Sequence, residues 1–552
     1  MPSVSLGKIA FSYKQTYDPA AIYARQDVVT LDGDSYVCLI DGSQDRSPLL
    51  HPSHWQLFAQ GTAHIASQSG ELIYHDGARL AALAVGSAGQ VLTVNAQGLP
   101  TWGTPDVRSG TKVKRLLSNA SSKLNNKPYR KFGAIMTDHS VRLWGNNDNY
   151  LLADGTNIAR PYPVRAAFGP AFPGAAKVYL DYNYSGYCID LNGQLWSWGY
   201  NGYGQLGLND TADRRVPVNA SLVATSSLYG KSVSDVIIAG GVENYCSVLV
   251  LCTDGTLHAT GYNGYGQLGL GDTTQRNQFN QVPVISNVVA ARLGRERYTT
   301  AYALTAEGKL YAWGYNGDGQ LGDGGTAQAN IPVLRAGGTL AGKTLVNVYC
   351  GHTAAYALDD AGRLHAWGTN TTFGNLGNGN FANQFTPVQV AINVAEVYTN
   401  SYDYPMLLIK KTDGTLWGAG AGNYAANGNP AGNHAADFIQ IPIGNSVVKA
   451  SVGGTGSYNY CLALLQNGTV YAWGYNGNGA LGVGDNTNRS TPVLVPIAQR
   501  TVTDIATYGT GSEQCSAFLL DDGQVLVAGY GGSYANTDNN GNWIATPYPV
   551  IL

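Results

Sequence analysis

At 552 residues the chain is longer than one compact core supports, yet only 12% of it is charged, against about a quarter in an average soluble domain, while glycine numbers 71 and tyrosine 36. A net charge of −3 excludes the clustered Lys and Arg that phosphate backbones require, so no nucleic-acid partner is expected. No run of 18 apolar residues occurs and the opening MPSVSLGKIAFSYK has no apolar leader core, so neither membrane insertion nor ordinary secretion is expected.

The front of the chain reads differently from the rest. Across residues 9–61, Tyr23, Val28, Val29, Tyr36, Val37 and Trp55 predict a small all-β module with a hairpin corner at Asp32-Gly33. The stretch QDVVTLDGDSYVCLIDG followed by HPSHWQLFAQG is similar to the small chitin-binding type of carbohydrate-binding module, which also occurs in phage tail proteins. Residues 71–104, with Gly77-Ala78-Arg79-Leu80 and the later GSAGQVLT, resemble a segment of bacteriophage tail fibres. Being glycine-punctuated and short of core, that segment is expected to order against copies of itself, and the resemblance implies a homotrimer. Three domains follow: 1–62 for attachment, 63–110 for oligomerisation and linkage, and 111–552.

From residue 139 onward one pattern recurs eight times. Strand-end glycines stand at 145, 199, 261, 314, 368, 420, 474 and 529, so successive copies lie 52 to 62 residues apart. Six residues before seven of them lies another glycine, as in Asn192-Gly193, Asp254-Gly255 and Asn467-Gly468; only the first copy substitutes, with His139. Such dipeptides tolerate the positive φ of tight hairpins. Between corner and strand end the residues alternate, as in Val470-Tyr471-Ala472-Trp473-Gly474, the period of a packed strand. A Pro-Val or Pro-Ile pair 18 to 22 residues on, such as Pro217-Val218 and Pro442-Ile443, opens an outer strand where proline forfeits no ladder donor. Each unit therefore supplies four short strands, and the fold class is all-β: a β-propeller of eight blades, with seven as the alternative. Ring closure is expected to pair Pro549–Leu552 with N-terminal blade material, because a free edge invites aggregation.

The segments Tyr200 to Gly207 (YNGYGQLG), Tyr262 to Gly269, Tyr315 to Gly322 (YNGDGQLG) and Tyr475 to Gly482 (YNGNGALG) resemble the regulator of chromosome condensation repeat. Four copies match well and four keep little beyond the frame. Familiar members of that family have seven blades.

If strands run in order from axis to rim, the first-to-second and third-to-fourth loops emerge on one face. That face gathers Tyr182, Tyr184, Tyr245, Tyr298, Tyr402, Tyr404, Tyr458 and Tyr460, with Tyr203, Tyr265, Asn201, Asn263, Asn316 and Asn476 from the YNG loops as secondary candidates. Flat rings beside neutral amides suit sugar recognition, so the expected ligand is a host cell-surface glycan or other receptor. The plainer reading is that YNG tyrosines pack on the neighbouring blade. Asp181, Glu243 and Glu296 occupy one place in three consecutive blades, and paired carboxylates can hydrolyse glycosides; ordinary ion pairing is the competing account. His258 and His365 stand where other blades carry Trp196 or Tyr311, as interchangeable sheet residues. Seven scattered cysteines without CxxC spacing predict neither a disulfide framework nor a zinc site, and no cofactor or catalytic residue is expected.

Taken with the tail-fibre resemblance, these features predict a non-enzymatic receptor-binding protein of a virion tail. It would act at the host surface and join other tail proteins through its N-terminal region. A polysaccharide depolymerase is one alternative; a guanine-nucleotide exchange or protein-interaction propeller is the other.

Overall fold

The computed structural model describes residues 112–530 apart from 118–130 and gaps at 181–184, 241–244, 295–298, 352, 371, 401–403, 455–456, 498–499 and 511–512. It also describes the strand at 543–549 and, before residue 111, chiefly strand backbones. Contacts divide the chain into two units, 1–110 and 111–552. In the first, Ser12–Thr16, Asp27–Leu31, Asp34–Cys38 and Trp55–Ala59 form one sheet, in which Leu31 pairs with Asp34, the register a two-residue corner demands. Two hairpins follow, Leu72–His75 with Leu80–Leu83 and Val91–Val94 with Pro100–Gly103. The side chains of Tyr36 and Trp55 lie outside the described residues, as does whatever 63–110 contributes to oligomerisation.

The second unit is an eight-bladed β-propeller. Blades span 113–165, 175–219, 233–281, 288–335, 345–391, 394–440, 447–494 and 502–549, each four antiparallel strands in chain order. Among the described residues there is no α-helix. The second strands, such as Ser185–Asp190, Thr300–Thr305 and Tyr460–Leu465, are buried along their whole length, because a neighbouring blade covers each face. Fourth strands such as Arg214–Asn219 are only partly buried, as outer edges are, but proline does not open them: Pro217 is the fourth residue of its strand, and Pro283 and Pro442 lie beyond the strand ends at Gln281 and Gln440. At the corner where the first copy lacks glycine, His139 itself takes φ +63°. A strand-end glycine has a steric reason as well: at Gly261, with φ +96°, a Cβ would lie 2.3 Å from the Cys246 carbonyl oxygen.

Ring closure differs from the expectation. All four strands of the last blade come from residues 502–549, and its outer strand, Trp543–Pro549, pairs only with Val525–Tyr530 of the same blade among the described residues. The seam is closed by side chains: Val113, Leu116, Met136 and Trp144 of blade 1 share one apolar cluster with Cys515, Ala517, Leu519 and Val527 of blade 8. Outer strands lie at the periphery and cannot reach the next blade, whereas inner faces can. The other seven junctions are built the same way, each an apolar cluster spanning two adjacent blades.

These junctions are tied by a polar bond as well as by burial. Trp198, Trp313, Trp367 and Trp473, all fully buried on third strands, donate their indole N–H backwards to the preceding blade: to Leu151 O at 2.8 Å, Gln267 O at 2.9 Å, Gln320 O at 2.7 Å and Ala426 O at 2.9 Å. Replacing Trp473 by Ala should cost about 3–5 kcal/mol, since the cavity cannot collapse between two rigid sheets. Trp473→Phe, which keeps most of the ring and loses the bond, should cost clearly less. The urea midpoint of each variant checks both values.

Candidate functional site

The YNG loops join the third strand of each blade to its fourth. In all four strong copies the asparagine is fully buried and acts as a staple. Asn263 Nδ2 donates to Asp272 O at 3.0 Å and Thr274 O at 3.1 Å, while its Oδ1 accepts the Leu268 amide at 2.9 Å. Asn201, Asn316 and Asn476 repeat this on Leu206, Leu321 and Leu481 at 2.9, 2.8 and 2.9 Å. The weak copies keep it too: Asn147 holds Leu152 and Asn370 holds Leu376. Against the expectation of a display surface, Asn201, Asn263, Asn316 and Asn476 are fully buried within their loops. Every amide they own is spent on the loop, and a buried amide left unpaired would be costly.

The tyrosine of each motif folds over the glycine two residues on. A Cβ at Gly202, Gly264, Gly317 or Gly477 would lie 2.0–2.1 Å from the hydroxyl of Tyr200, Tyr262, Tyr315 or Tyr475. The glycine is thus the floor under the ring, and the ring is half-buried with one side available. Rings from the two loop classes then meet. Tyr245, from a first-to-second loop, lies 4.4 Å from Tyr262 and 5.1 Å from Tyr203, centroid to centroid; Tyr265 lies 5.4 Å from Tyr315. This arc crosses blades 2, 3 and 4. A second group joins Tyr458 to Tyr475 at 4.9 Å and Tyr475 to Tyr424 at 5.1 Å, and Phe373 touches Tyr404 and His434, each at 5.0 Å. Burial, then the neighbouring Tyr245, pushes the Tyr203 phenol up to about 12, so it stays neutral.

Of the eight principal tyrosines, Tyr245, Tyr404 and Tyr458 stand on this rim, half-buried. Tyr460 does not. It lies inside a second strand, fully buried in the cluster between blades 7 and 8, and its hydroxyl donates to Cys515 O at 2.6 Å. Tyr460 opens the second strand Tyr460–Leu465, whereas Tyr458 lies in the loop just before it, so one ring is enclosed between blades and the other is not. Tyr182, Tyr184, Tyr298 and Tyr402, and the acidic trio Asp181, Glu243 and Glu296, lie outside the described residues. Phe373 and Tyr424 were missed in sequence because their loops, TNTTFGNLG and AGNYAANG, depart from the motif.

The buried histidines offer no base. Ser227 Oγ lies 2.7 Å from His258 Nδ1 and Thr256 Oγ1 2.9 Å from its Nε2, so both ring nitrogens face hydroxyl groups inside the sheet. His365 sits between Thr339 at 2.8 Å and Asp359 at 3.3 Å, a carboxylate that Arg363 already holds at 2.6 Å. Among the described residues no cluster of His, Cys, Asp and Glu could hold a metal ion. Burial pushes His258 down to about 4 from 6.5, aided by Lys231. A depressed folded value means the unfolded chain takes up the proton first, so this stability is complete above pH 6.5 and falls as pH drops toward 4. His258→Tyr, the residue used at the same place in blades 4 and 7, should remove about 2–3 kcal/mol of the loss between pH 7 and 4.5. Urea midpoints of both proteins at those two pH values test it.

Eight radial sheets thus present an aromatic rim on stapled loops. A model of the regulator of chromosome condensation (RCC1) repeat matches residues 192–241, 307–358 and 467–512, so the chain carries RCC1-type repeats. It is 29% identical over 370 residues to the human E3 ubiquitin-protein ligase HERC2, a match covering 64% of this chain and 7% of that protein's length. To the ultraviolet-B receptor UVR8 of Arabidopsis thaliana it is 26% identical over 375 residues, 66% of this chain and 79% of that protein. Two solved structures share the fold: human WBSCR16 (TM-score 0.51, 20% identity, 69% of this chain and 98% of that one) and Prp20p of Saccharomyces cerevisiae (0.50, 18%, 72% and 92%), a protein described as binding Gsp1p and histones.

Proposed function

We propose that the protein is a non-catalytic RCC1-type interaction propeller that docks a protein partner on its tyrosine rim. The observation that carries this is the run of half-buried rings, Tyr203, Tyr245, Tyr262, Tyr265 and Tyr315, touching one another across three blades. Tyrosine gives large contact area at small entropic cost, and packed neighbours hold these rings in place before any partner arrives. The relatives named above lend support, one of them being described as a binder of proteins. Guanine-nucleotide exchange would be one special case, and fold alone does not assign it.

The second reading is the tail-fibre adhesin binding a host glycan. What favours it is the same rim, neutral and rich in rings, in a chain with only 12% charged residues. A photo-crosslinking phenylalanine placed at Tyr245 or Tyr458 separates the readings. The proposal expects one discrete protein adduct from both positions and none from Leu334, an exposed residue of an outer strand. Tyr245→Ala with Tyr458→Ala should weaken that partner by at least about tenfold. Adducts equally abundant from Leu334 would refute the rim; glycan-array binding lost in the same double variant would favour the adhesin instead.

A further inference from the structure

Inside the ring, the first strands of blades 2 to 7 surround a cavity of about 480 Å³ that sequence reading did not anticipate. Its wall carries Tyr179, Asp235, Arg292, Tyr349, Tyr398 and Ser451. Most of these polar groups are already committed. Tyr179 donates its hydroxyl to Asp235, which Lys177 also faces at 3.8 Å. Tyr398 donates to Glu396 at 2.5 Å, and Lys410 neutralises that carboxylate at 2.5 Å. Ser451 and Thr507 bond each other at 2.9 Å, and Thr399 donates back to its own strand end.

Two adjacent groups break the pattern. Arg292 donates to Ala291 O at 2.7 Å and reaches Asn347 Oδ1 only at 3.5 Å; among the described residues no carboxylate pairs with it. Among the described lining residues it is the one charge without an opposite partner, because Asp235 has its lysine. Tyr349 accepts a bond from Asn347 Nδ2 at 3.0 Å, and the Val397 amide lies against the same oxygen, so its own O–H has no acceptor among the described residues. Burial raises this phenol above its usual range, so that hydrogen is retained at neutral pH. A guanidinium and a phenol, each with unspent donors, thus converge on one stretch of wall, while Ile237, Ile238 and Val452 line the cavity beside them.

We propose that the central cavity is a binding site for a small monocarboxylate with a flat apolar body, its carboxylate held by Arg292 and Tyr349. One uncompensated positive charge matches one negative head, and the apolar wall of Ile237, Ile238 and Val452 beside it suits an apolar body better than a strongly hydrated dianion such as phosphate. A cavity of this size takes a molecule of drug-like dimensions.

Calorimetric titration of the full chain with 2-naphthoate, 2-naphthamide and inorganic phosphate tests the site. The proposal expects 2-naphthoate to bind at least about tenfold more tightly than the neutral amide, and Tyr349→Phe and Arg292→Met each to weaken it by about tenfold. Ile237→Trp, which fills the cavity without touching the polar head, should abolish binding, and Tyr458→Ala on the rim should leave it unchanged. Equal binding of acid and amide, phosphate bound in preference to 2-naphthoate, or undiminished affinity in Tyr349→Phe would overturn the assignment. If the polar variants prove unfolded by thermal melting, undiminished binding in folded Ile237→Trp overturns it instead.

Discussion

Everything in the propeller depends on how one blade grips the one before it. The grip is a fully buried indole on a third strand that donates backwards into its predecessor's loop, as Trp313 does to Gln267 O at 2.9 Å. Blade 3 has threonine instead of tryptophan at this place, and Thr260 Oγ1 makes the equivalent bond to Gly204 O at 3.0 Å. Because the accepting carbonyl sits in the loop whose asparagine staples the backbone, a single motif serves two purposes: it closes its own blade and seats the next. The apolar clusters then add burial on both sides of each bond. Eight apolar clusters, with these bonds at five of the junctions, return the last blade to the first without any shared strand among the described residues.

The same arrangement makes the rim stiff. Tyr262 rests on Gly264, its loop is fixed by Asn263, and the loop's end carries the Arg276–Asp272 ion pair at 2.7 Å. Little of the rim's geometry remains to be ordered on binding, which is how exposed rings become useful to a partner. The exposed ion pair contributes little to stability by itself, about 0–1 kcal/mol, and its effect is on loop direction.

Much of this was legible in the chain. Glycine spacing marked eight frames, Asn-Gly and Asp-Gly dipeptides marked the corners, and Pro-Val pairs marked outer strands, because each of those residues answers a local backbone demand. Other features were not legible, for physical reasons. A buried asparagine that staples a loop and an exposed one are the same residue in the same motif, so the burial of Asn201 and Asn476 was not legible. Tyr458 lies in a loop and Tyr460 opens the strand that follows, a boundary that residue type does not mark. The cavity escaped because its charges answer one another across blades: Lys177 meets Asp235, and nearby Lys449 meets Asp504 at 2.5 Å, each more than fifty residues away in sequence. Seam closure escaped for a related reason, since packing between the chain's ends has no local motif.

The central claim is that the stapled loops, gripped by the buried indoles of blades 2, 4, 5 and 7 and by the apolar clusters, hold the aromatic rim rigid. Amide hydrogen exchange of the full chain measures it directly at the stapled loops, residues 204–208, 266–270, 319–322 and 479–482. The account predicts that these amides exchange as slowly as the enclosed second strands, through global opening alone. Rapid exchange in those loops beside protected strands would contradict it.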